Sequence, residues 1–299
     1  MIKANNVTMK FDDFTALDNL SCTISKGSIY GLVGSNGAGK STFLRLISGI
    51  YRPMSGEITI EGEKVYENPK IKSKIAFVPD DLYFLSGSKM SDMASLYAAA
   101  YSSFNSERFY NLMKTFSLPE SKAISTFSKG MKRQAATILA LSTMPDYLFF
   151  DETFDGLDPV MRNLVKQVIY SDVAERNTTV IITSHSLREL EDTCDQLSLL
   201  HKGGIVFESD IQNLKTSLFK IQVAFSEEFT KEKFDGIEIL EYNQKSSVAS
   251  FIVRGDREKV REQLSGMSPL LLDILPLSLE EVFIYEMEAL GYAFKDILM

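Results

Sequence analysis

Residues 34–42 of the chain read Gly34-Ser35-Asn36-Gly37-Ala38-Gly39-Lys40-Ser41-Thr42. The apolar run 29–33 before them predicts a buried strand, and residues 43–47 after them predict the first turns of a helix. The spacing Gly-x4-Gly-Lys-Ser is the pattern of a phosphate-binding loop, in which backbone N–H groups and a helix N-terminus face one anion. In this interpretation Lys40 reaches the β- and γ-phosphates and the Ser41 hydroxyl binds Mg²⁺. The alternative is a glycine-rich turn that matches the pattern by chance.

Composition and charge exclude several classes of protein. The chain has 299 residues, 44% of them hydrophobic and 24% charged, which is typical of a globular protein with one or two domains. Its net charge of −8 argues against a nucleic-acid partner. Cys22 and Cys194 lie far apart in sequence and favour a reducing compartment. The sequence shows neither a signal-peptide h-region nor an apolar stretch approaching the ~20 residues of a membrane span, so we expect a soluble cytoplasmic protein.

Two carboxylates end a second apolar run, because residues 147–152 read Tyr-Leu-Phe-Phe-Asp-Glu. In an open α/β sheet, chemistry gathers at the carboxyl ends of the strands. Asp151 is predicted to hold Mg²⁺ through its hydration shell, and Glu152 is predicted to polarise the water that attacks the γ-phosphate. The alternative is a pair of solvated acids at the end of a strand.

A histidine ends a third apolar run, Val-Ile-Ile-Thr-Ser-His at residues 180–185. A neutral imidazole near a γ-phosphate can hydrogen-bond the phosphate or the attacking water, and this is the role predicted for His185. The alternative is a structural hydrogen bond. His201 lacks a comparable setting and is predicted to lie in a turn.

The sequence resembles the ABC-type ATPases, and the resemblance becomes specific at residues 127–134, where Phe-Ser-Lys-Gly-Met-Lys-Arg-Gln is similar to the family's signature sequence. The resemblance implies that Ser128, Lys129 and Gly130 cradle the γ-phosphate bound by another subunit. Residues 156–159 resemble the D-loop and residues 184–185 the switch-histidine loop. Phe11 matches the aromatic residue that stacks on adenine. The resemblance covers about residues 1–210.

The resemblance assigns three sets of site residues. Lys40, Glu152 and His185 are catalytic, and Ser41, Asp80 and Asp151 are metal-binding. The ATP-binding set comprises Phe11, Ser35, Asn36, Gly37, Ala38, Gly39, Lys40, Ser41, Thr42, Ser128, Lys129 and Gly130. The implied cofactors are ATP and Mg²⁺.

Two positions depart from the family pattern. Asp80 stands where the family usually has glutamine; it can still offer an oxygen to Mg²⁺, but it adds a negative charge near the phosphates. Lys129-Gly130-Met131 replaces the commonest Gly-Gly-Gln, and a backbone cradle is expected to persist as long as Gly130 does.

The implied fold is α/β: a P-loop NTPase with a RecA-like core, N-terminal antiparallel strands and a helical lobe at about residues 88–128, all within an ATP-binding domain at 1–210. In the lobe, Phe109, Leu112, Met113 and Phe116 repeat at helical spacing and predict one apolar face. Further along, Val160, Leu164, Val165 and Val168 predict another such face.

The C-terminal part, residues 211–299, is predicted to be a small accessory α+β domain. Segments 219–225, 250–254 and 270–275 read as strands, and 256–264 reads as a helix. Ser278 is a predicted N-cap of a last helix, with Glu281 three residues on. The domain's role is left open between regulation, dimer support and a structural extension.

The resemblance implies the ATP-hydrolysing subunit of an ABC transporter, peripheral on the inner face of the cell membrane. It implies a head-to-tail dimer with an identical or different ATP-binding subunit, closing on two ATP–Mg²⁺, and separate transmembrane permease subunits. Residues 277–283 resemble the tail of export-type subunits and favour an exporter of a peptide, antibiotic or lipid-like substrate. The alternatives are an importer subunit and a non-transport ABC ATPase acting as a regulatory or binding module.

Overall fold

The computed structural model describes residues 1–154, 156–289 and 291 of the chain. The chain divides into two compact units, the first spanning Met1–Glu208 and the second beginning at Ser209. A membrane-spanning helix is absent from the described part of the chain, since none of the helices there combines the required length with low charge.

Strands and helices alternate through most of the first part of the chain. The strands are β1 (Ile2–Phe11), β2 (Phe14–Ile24), β3 (Ile29–Val33), β4 (Ser55–Ile60), β5 (Glu63–Lys64), β6 (Ile75–Val78), β7 (Tyr147–Asp151), β8 (Thr179–Ser184), β9 (Gln196–His201) and β10 (Gly204–Asp210). The helices are α1 (Lys40–Ile47), α2 (Pro69–Lys72), α3 (Met90–Ala100), α4 (Ser106–Thr115), α5 (Lys129–Ser142), α6 (Pro159–Arg176) and α7 (Leu187–Glu191), with a 3-10 turn at Ile124–Thr126.

A largely parallel central sheet positions the site. Its strand order is β10-β9-β3-β8-β7-β6, and the neighbours from β9 to β6 run parallel. Every residue of β3, β7 and β8 is buried, as expected for strands covered on both faces. Because β3, β6, β7 and β8 are parallel, the residues that follow them lie at one edge of the sheet. That edge carries the phosphate loop, Asp80, the pair Asp151–Glu152 and His185.

The N-terminal strands form a separate antiparallel sheet with the order β2-β1-β4-β5, as predicted. Its inner face and α1 enclose one hydrophobic core with the central sheet. That core includes Ile2, Leu20, Phe43, Leu44, Ile60, Tyr147 and Phe149, all at most 1% exposed. Burying each such large side chain stabilises the fold by roughly 1.5–3 kcal/mol. The core therefore fixes α1, and with it the phosphate loop, against the sheet.

The helical segment between β6 and β7 contains α3, α4 and α5. Phe109, Leu112, Met113 and Phe116 are buried, which confirms the predicted apolar face of α4. Arg108 of the same helix reaches Asp172 of α6 at 2.7 Å, and Arg176 lies 3.5 Å from that carboxylate. Because Asp172 is 1% exposed, these two guanidinium groups supply the positive charge that its burial requires.

The predicted apolar face of α6 is wrong in part. Val165 is buried, but Val160 is exposed and Leu164 and Val168 are only partly covered. The row that faces the interior contains Val165, Ile169 and Asp172. The buried row is hard to recognise in the sequence because it includes a charged residue. Asp172 can be buried there because two arginines pair with it.

His201 is also corrected by the structure. It is the buried last residue of β9, and the turn follows at Lys202 and Gly203, both with positive φ. Strand β9 thus includes the histidine that follows its apolar residues, and the turn begins one position later than the sequence suggests.

The second unit is an α+β structure. It contains α8 (Ile211–Ser217), β11 (Leu218–Ala224), β12 (Ile239–Lys245), β13 (Val248–Arg254), α9 (Arg257–Ser265), β14 (Leu271–Pro276) and α10 (Leu279–Ala289), with a 3-10 turn at Lys231–Phe234. The strands form an antiparallel sheet with the order β12-β13-β11-β14. The predicted cap of the last helix is confirmed, since Glu281 N donates to Ser278 Oγ and Ser278 N donates to the Glu281 carboxylate. One residue of the final segment is described beyond α10, and the rest of residues 290–299 lies outside the described part.

A partly exposed cluster of charges makes the first unit sensitive to acid. Lys74 lies 2.5 Å from Glu61, and Lys26 lies 3.3 Å from it. The hydrogen bond from Lys74, opposed by burial and assisted by Lys26, lowers the pKa of Glu61 to about 2. A lowered pKa in the folded state stabilises the protein above the ordinary value of 4.5, and this contribution is lost as the pH falls from 4.5 towards 2.

Lys74→Met is therefore expected to lower the free energy of unfolding at neutral pH by about 1 kcal/mol or less, because the pair is partly exposed. It is also expected to flatten the loss of stability below pH 4.5. Urea unfolding across this pH range measures both effects. The matched control is Lys122→Met, which changes an exposed lysine away from this cluster. An acid profile for Lys74→Met identical to that of the unmodified chain would contradict the assignment.

Candidate active site

The phosphate loop joins the end of β3 to the start of α1. At Gly39 the backbone has a φ of +112°, and a Cβ there would lie 2.5 Å from the Ala16 carbonyl oxygen, so the position requires glycine. Helix α1 begins at Lys40, whose Nζ donates to the carbonyl oxygens of Gly34 at 2.7 Å and Ser35 at 3.1 Å. The Lys40 side chain thus lies across the loop and is only 4% exposed.

A pocket of about 360 Å³ lies at the phosphate loop. It brings the phosphate loop together with Asp80, which follows β6, and Glu152, which follows β7. Its lining comprises Phe14, Ala16, Asn36, Gly37, Gly39, Lys40, Ser41, Thr42, Asp80 and Glu152. Most of the predicted phosphate-binding residues therefore meet two of the predicted acids in one cavity.

Asp151 lies beneath this pocket as the buried last residue of β7. Burial raises its pKa above the ordinary range, with further increases from the charges of Glu152 and Asp80, while hydrogen bonds from Ser41 and Thr183 oppose the rise. Thr183 Oγ1 donates to Asp151 Oδ1 at 2.8 Å. Asp151 Oδ2 is buried and has no hydrogen-bond partner among the described residues.

The chemistry of these donors fits Mg²⁺. A buried carboxylate oxygen without a partner, next to a serine hydroxyl, is the oxygen set that this ion accepts alongside water and substrate phosphates. The described part of the chain contains no group of three His, Cys, Asp or Glu side chains suited to a metal. Ser41 and Asp151 would hold the ion, and when bound it would neutralise charge on the phosphates.

Glu152 has an unusual backbone and two basic neighbours. Its φ of +48° places it in the left-handed region, which costs a residue with a Cβ roughly 1–2 kcal/mol. Its backbone N–H donates to Thr183 Oγ1 at 3.1 Å. Glu152 Oε1 lies 3.2 Å from Lys40 Nζ, and Oε2 lies 3.6 Å from His185 Nδ1. The strained backbone aims the carboxylate at the phosphate loop.

The switch-histidine loop is held by polar contacts. Ser184 Oγ donates to Glu189 Oε2 at 2.7 Å and accepts a hydrogen bond from Ser186 N. Glu189 also lies 3.4 Å from Arg162 of α6. The His185 side chain itself is about half exposed and lies beside the Glu152 carboxylate, but it does not belong to the lining of the phosphate-loop pocket.

The signature residues lie outside the pocket of their own chain. Ser128 caps α5 by accepting a hydrogen bond from Met131 N at 3.2 Å. A Cβ on Gly130 would lie 3.0 Å from the Gly156 carbonyl oxygen, which places the signature next to the predicted D-loop. Neither residue belongs to the lining of the phosphate-loop pocket.

Phe11 is exposed at the end of β1, where its ring packs edge-on against Tyr51. Phe14, at the start of β2, lines the pocket instead. The two rings belong to one hairpin, since Phe11 pairs with Phe14.

Three residues of the site region were missed by the sequence analysis: Thr183, Arg133 and Phe14. Thr183 contacts both acids because it pairs in register with Asp151 on the neighbouring strand. Arg133 of α5 donates to the Asp80 carboxylate and, at 3.3 Å, to the Pro79 carbonyl oxygen. The signal for Phe14 was its place in the same segment as Phe11.

The arrangement suits hydrolysis of a bound phosphoanhydride. Backbone N–H groups, a helix N-terminus and Lys40 offer positive charge to phosphates. Glu152 offers a carboxylate within reach of a water that approaches the terminal phosphate, and His185 offers a hydrogen bond beside it.

Comparison with known proteins identifies the family of the chain. The family model described as ABC transporter matches residues 17–155. ABC transporter ATP-binding protein YtrB of Bacillus subtilis (strain 168) is 32% identical over 95% of this chain and 97% of its own length. Nod factor export ATP-binding protein I of Rhizobium sp. (strain N33) is 32% identical over 93% of this chain and 94% of its own length.

The fold is likewise that of solved ATP-binding cassettes. The dimeric structure of MJ0796, a bacterial ABC transporter cassette, matches with a TM-score of 0.65 and 23% identity over 71% of this chain and 99% of that one. The predicted α/β P-loop NTPase fold is thereby confirmed. The relatives that match along nearly the whole chain show that it belongs to the ATP-binding proteins of ABC transporters and is an ATP-hydrolysing subunit.

Proposed function

We propose that this subunit hydrolyses ATP–Mg²⁺ as a head-to-tail dimer and drives the export of an amphipathic substrate through separate permease subunits. The observation that carries the proposal is the separation of two half-sites. The phosphate loop and Glu152 share a pocket, whereas Ser128 and Gly130 lie outside it. A second copy, or a related subunit, placed head to tail would supply the missing cradle to each pocket.

In the proposed mechanism the first unit is the ATP-binding domain. Lys40 and the loop N–H groups bind the β- and γ-phosphates, and Ser41 and Asp151 hold the ion. When the nucleotide phosphates bind Lys40, they replace Glu152 as its ion-pair partner. Glu152 can then accept a proton from the attacking water, while His185 hydrogen-bonds the γ-phosphate. Asp80 borders the phosphates as a further oxygen donor, and Phe11 stacks on adenine from the rim.

An exposed apolar surface beside Asp80 supports a permease partner. Tyr83 is 82% exposed, and Leu85 and Leu96 are also exposed. Tyr83 and Leu85 follow Asp80 by three and five positions, and Leu96 lies on α3. Large exposed apolar side chains on one segment of the chain favour a surface that another protein covers. A permease there would place the chain at the inner face of the cell membrane.

Export is supported by the relatives. The Nod factor relative is named for export, and its similarity extends through the second unit, as does that of YtrB. This coverage supports an accessory role for the second unit within the same class of transporter. Candidate substrates are peptides, antibiotics and lipid-like molecules.

Membrane vesicles test the proposed direction. Inside-out vesicles from cells that overproduce the chain with its membrane subunits are expected to accumulate a labelled amphipathic peptide, antibiotic or lipid when ATP and Mg²⁺ are added outside. Vesicles with Glu152→Gln in place of the unmodified chain are the control and should not accumulate it. Accumulation only in right-side-out vesicles loaded with ATP would instead identify an importer.

A further inference from the structure

The acid that departs from the family pattern has a buried partner. Asp80 Oδ1 accepts a hydrogen bond from the Arg133 guanidinium, which also donates to the Pro79 carbonyl oxygen at 3.3 Å. The Arg133 side chain is 1% exposed, whereas that of Asp80 is 55% exposed. The contact therefore joins a buried residue of α5 to Asp80, which lines the nucleotide pocket.

A buried guanidinium needs a counter-charge, because arginine keeps its proton in proteins and an unpaired buried charge is strongly destabilising. Arg133 Nε has no hydrogen-bond partner among the described residues, so the guanidinium depends on its two other nitrogens. Asp80 is the carboxylate that compensates it.

Asp80 also affects the pocket through its charge. Among the described residues, it and Glu152 are the two carboxylates that line the phosphate-loop pocket, so its charge lies where phosphates would bind. A bound nucleotide would add phosphate charges to the same place. An uncompensated Asp80 would oppose nucleotide binding, and a neutralised Asp80 would not.

We infer that Arg133 is a positioning residue of the nucleotide site, which neutralises Asp80 and holds its carboxylate on the pocket wall. This inference rests on the proposed nucleotide site at the phosphate loop. It explains how the chain accepts an acid where the family usually has glutamine: the compensating charge comes from α5, the helix that begins with the signature residues. Asp80 therefore uses Oδ1 to pair with Arg133, and only its Oδ2 remains available to an ion.

A double-mutant cycle tests the inference by measuring the dissociation constant of a fluorescent ATP analogue with Mg²⁺, alongside the melting temperature. Arg133→Gln is expected to weaken nucleotide binding about tenfold, because Asp80 then carries an uncompensated charge beside the phosphates. Asp80→Asn combined with Arg133→Gln is expected to restore the affinity to within about threefold of the unmodified chain. Asp80→Asn alone is expected to lower the melting temperature, because the buried guanidinium of Arg133 then lacks a counter-charge.

Two further variants separate positioning from stability. Arg133→Lys keeps the positive charge and is expected to keep most of the affinity, which provides a folded variant if Arg133→Gln is unstable. Arg176→Gln, which removes a guanidinium from Asp172 at the far end of α6, is the matched control. It is expected to lower the melting temperature without changing the affinity.

Unchanged affinity in Arg133→Gln would overturn the inference, as would a double variant that binds no better than Arg133→Gln. Failure of the proposed site has a different result, because the unmodified chain would then not bind the analogue, or Lys40→Ala would bind it equally well.

Discussion

Replacing Glu152 by glutamine is expected to lower the ATP hydrolysis rate by about 10²–10⁴-fold, since the amide cannot accept a proton from water. The substitution keeps the shape of the side chain and leaves the phosphate loop intact. It also removes the negative partner of Lys40, 3.2 Å away, so nucleotide phosphates no longer compete with a carboxylate for the ammonium. We therefore expect ATP affinity to be equal to or higher than that of the unmodified chain.

Steady-state phosphate release and nucleotide titration measure the two effects separately. Size-exclusion chromatography with ATP should show Glu152→Gln accumulating as a dimer. Glu175→Gln, an exposed carboxylate change on α6, is the matched control and should leave all three measurements unchanged. Turnover retained in Glu152→Gln would show that another group activates the water.

Lys40→Ala is expected to weaken ATP binding by at least about tenfold and up to about a hundredfold. A hydrogen bond to a charged group contributes about 1.5–3 kcal/mol, and about 1.4 kcal/mol corresponds to a tenfold change in affinity. Because Lys40 is almost fully buried within the loop, the alanine variant also loses the contacts to Gly34 and Ser35 that shape it. Isothermal titration with ATP measures the loss, and Lys122→Ala, an exposed lysine change, is the control.

The same variant tests the head-to-tail dimer. Ser128→Arg should block the signature cradle at an exposed position and abolish turnover. A mixture of the inactive Lys40→Ala and Ser128→Arg chains forms mixed dimers in which one pocket has an intact loop and an intact cradle. Roughly a quarter of the unmodified specific activity is then expected to return, since about half of the dimers are mixed and each has one of two sites intact. No return of activity would argue for a site complete within one chain.

Much of the site could be predicted because local sequence determines it. The phosphate loop, the acids after β7 and the histidine after β8 each follow a buried apolar strand. Parallel pairing then brings the ends of those strands to one edge. The apolar face of α4 and the cap at Ser278 could likewise be inferred from spacing within one helix.

The remaining contacts depend on pairings that spacing does not reveal. Thr183 contacts Asp151 because two strands align in register, and Arg133 contacts Asp80 across 53 positions of sequence. In the sequence, Lys132-Arg133 looks like a solvated surface of a helix. Strand β12 was missed because it contains Glu241, Asn243 and Gln244 and lies at the edge of its sheet, where polar residues are tolerated.

The left-handed backbone at Glu152 sets the stability of the fold against the rate of ATP hydrolysis. Glycine would relax this position, and asparagine tolerates it better than glutamate does. Selection for a long-lived fold alone would therefore favour a different residue here. A copy of this subunit freed from the demand to hydrolyse ATP would relieve the backbone strain by accepting glycine or asparagine here, at the cost of the ion pair with Lys40.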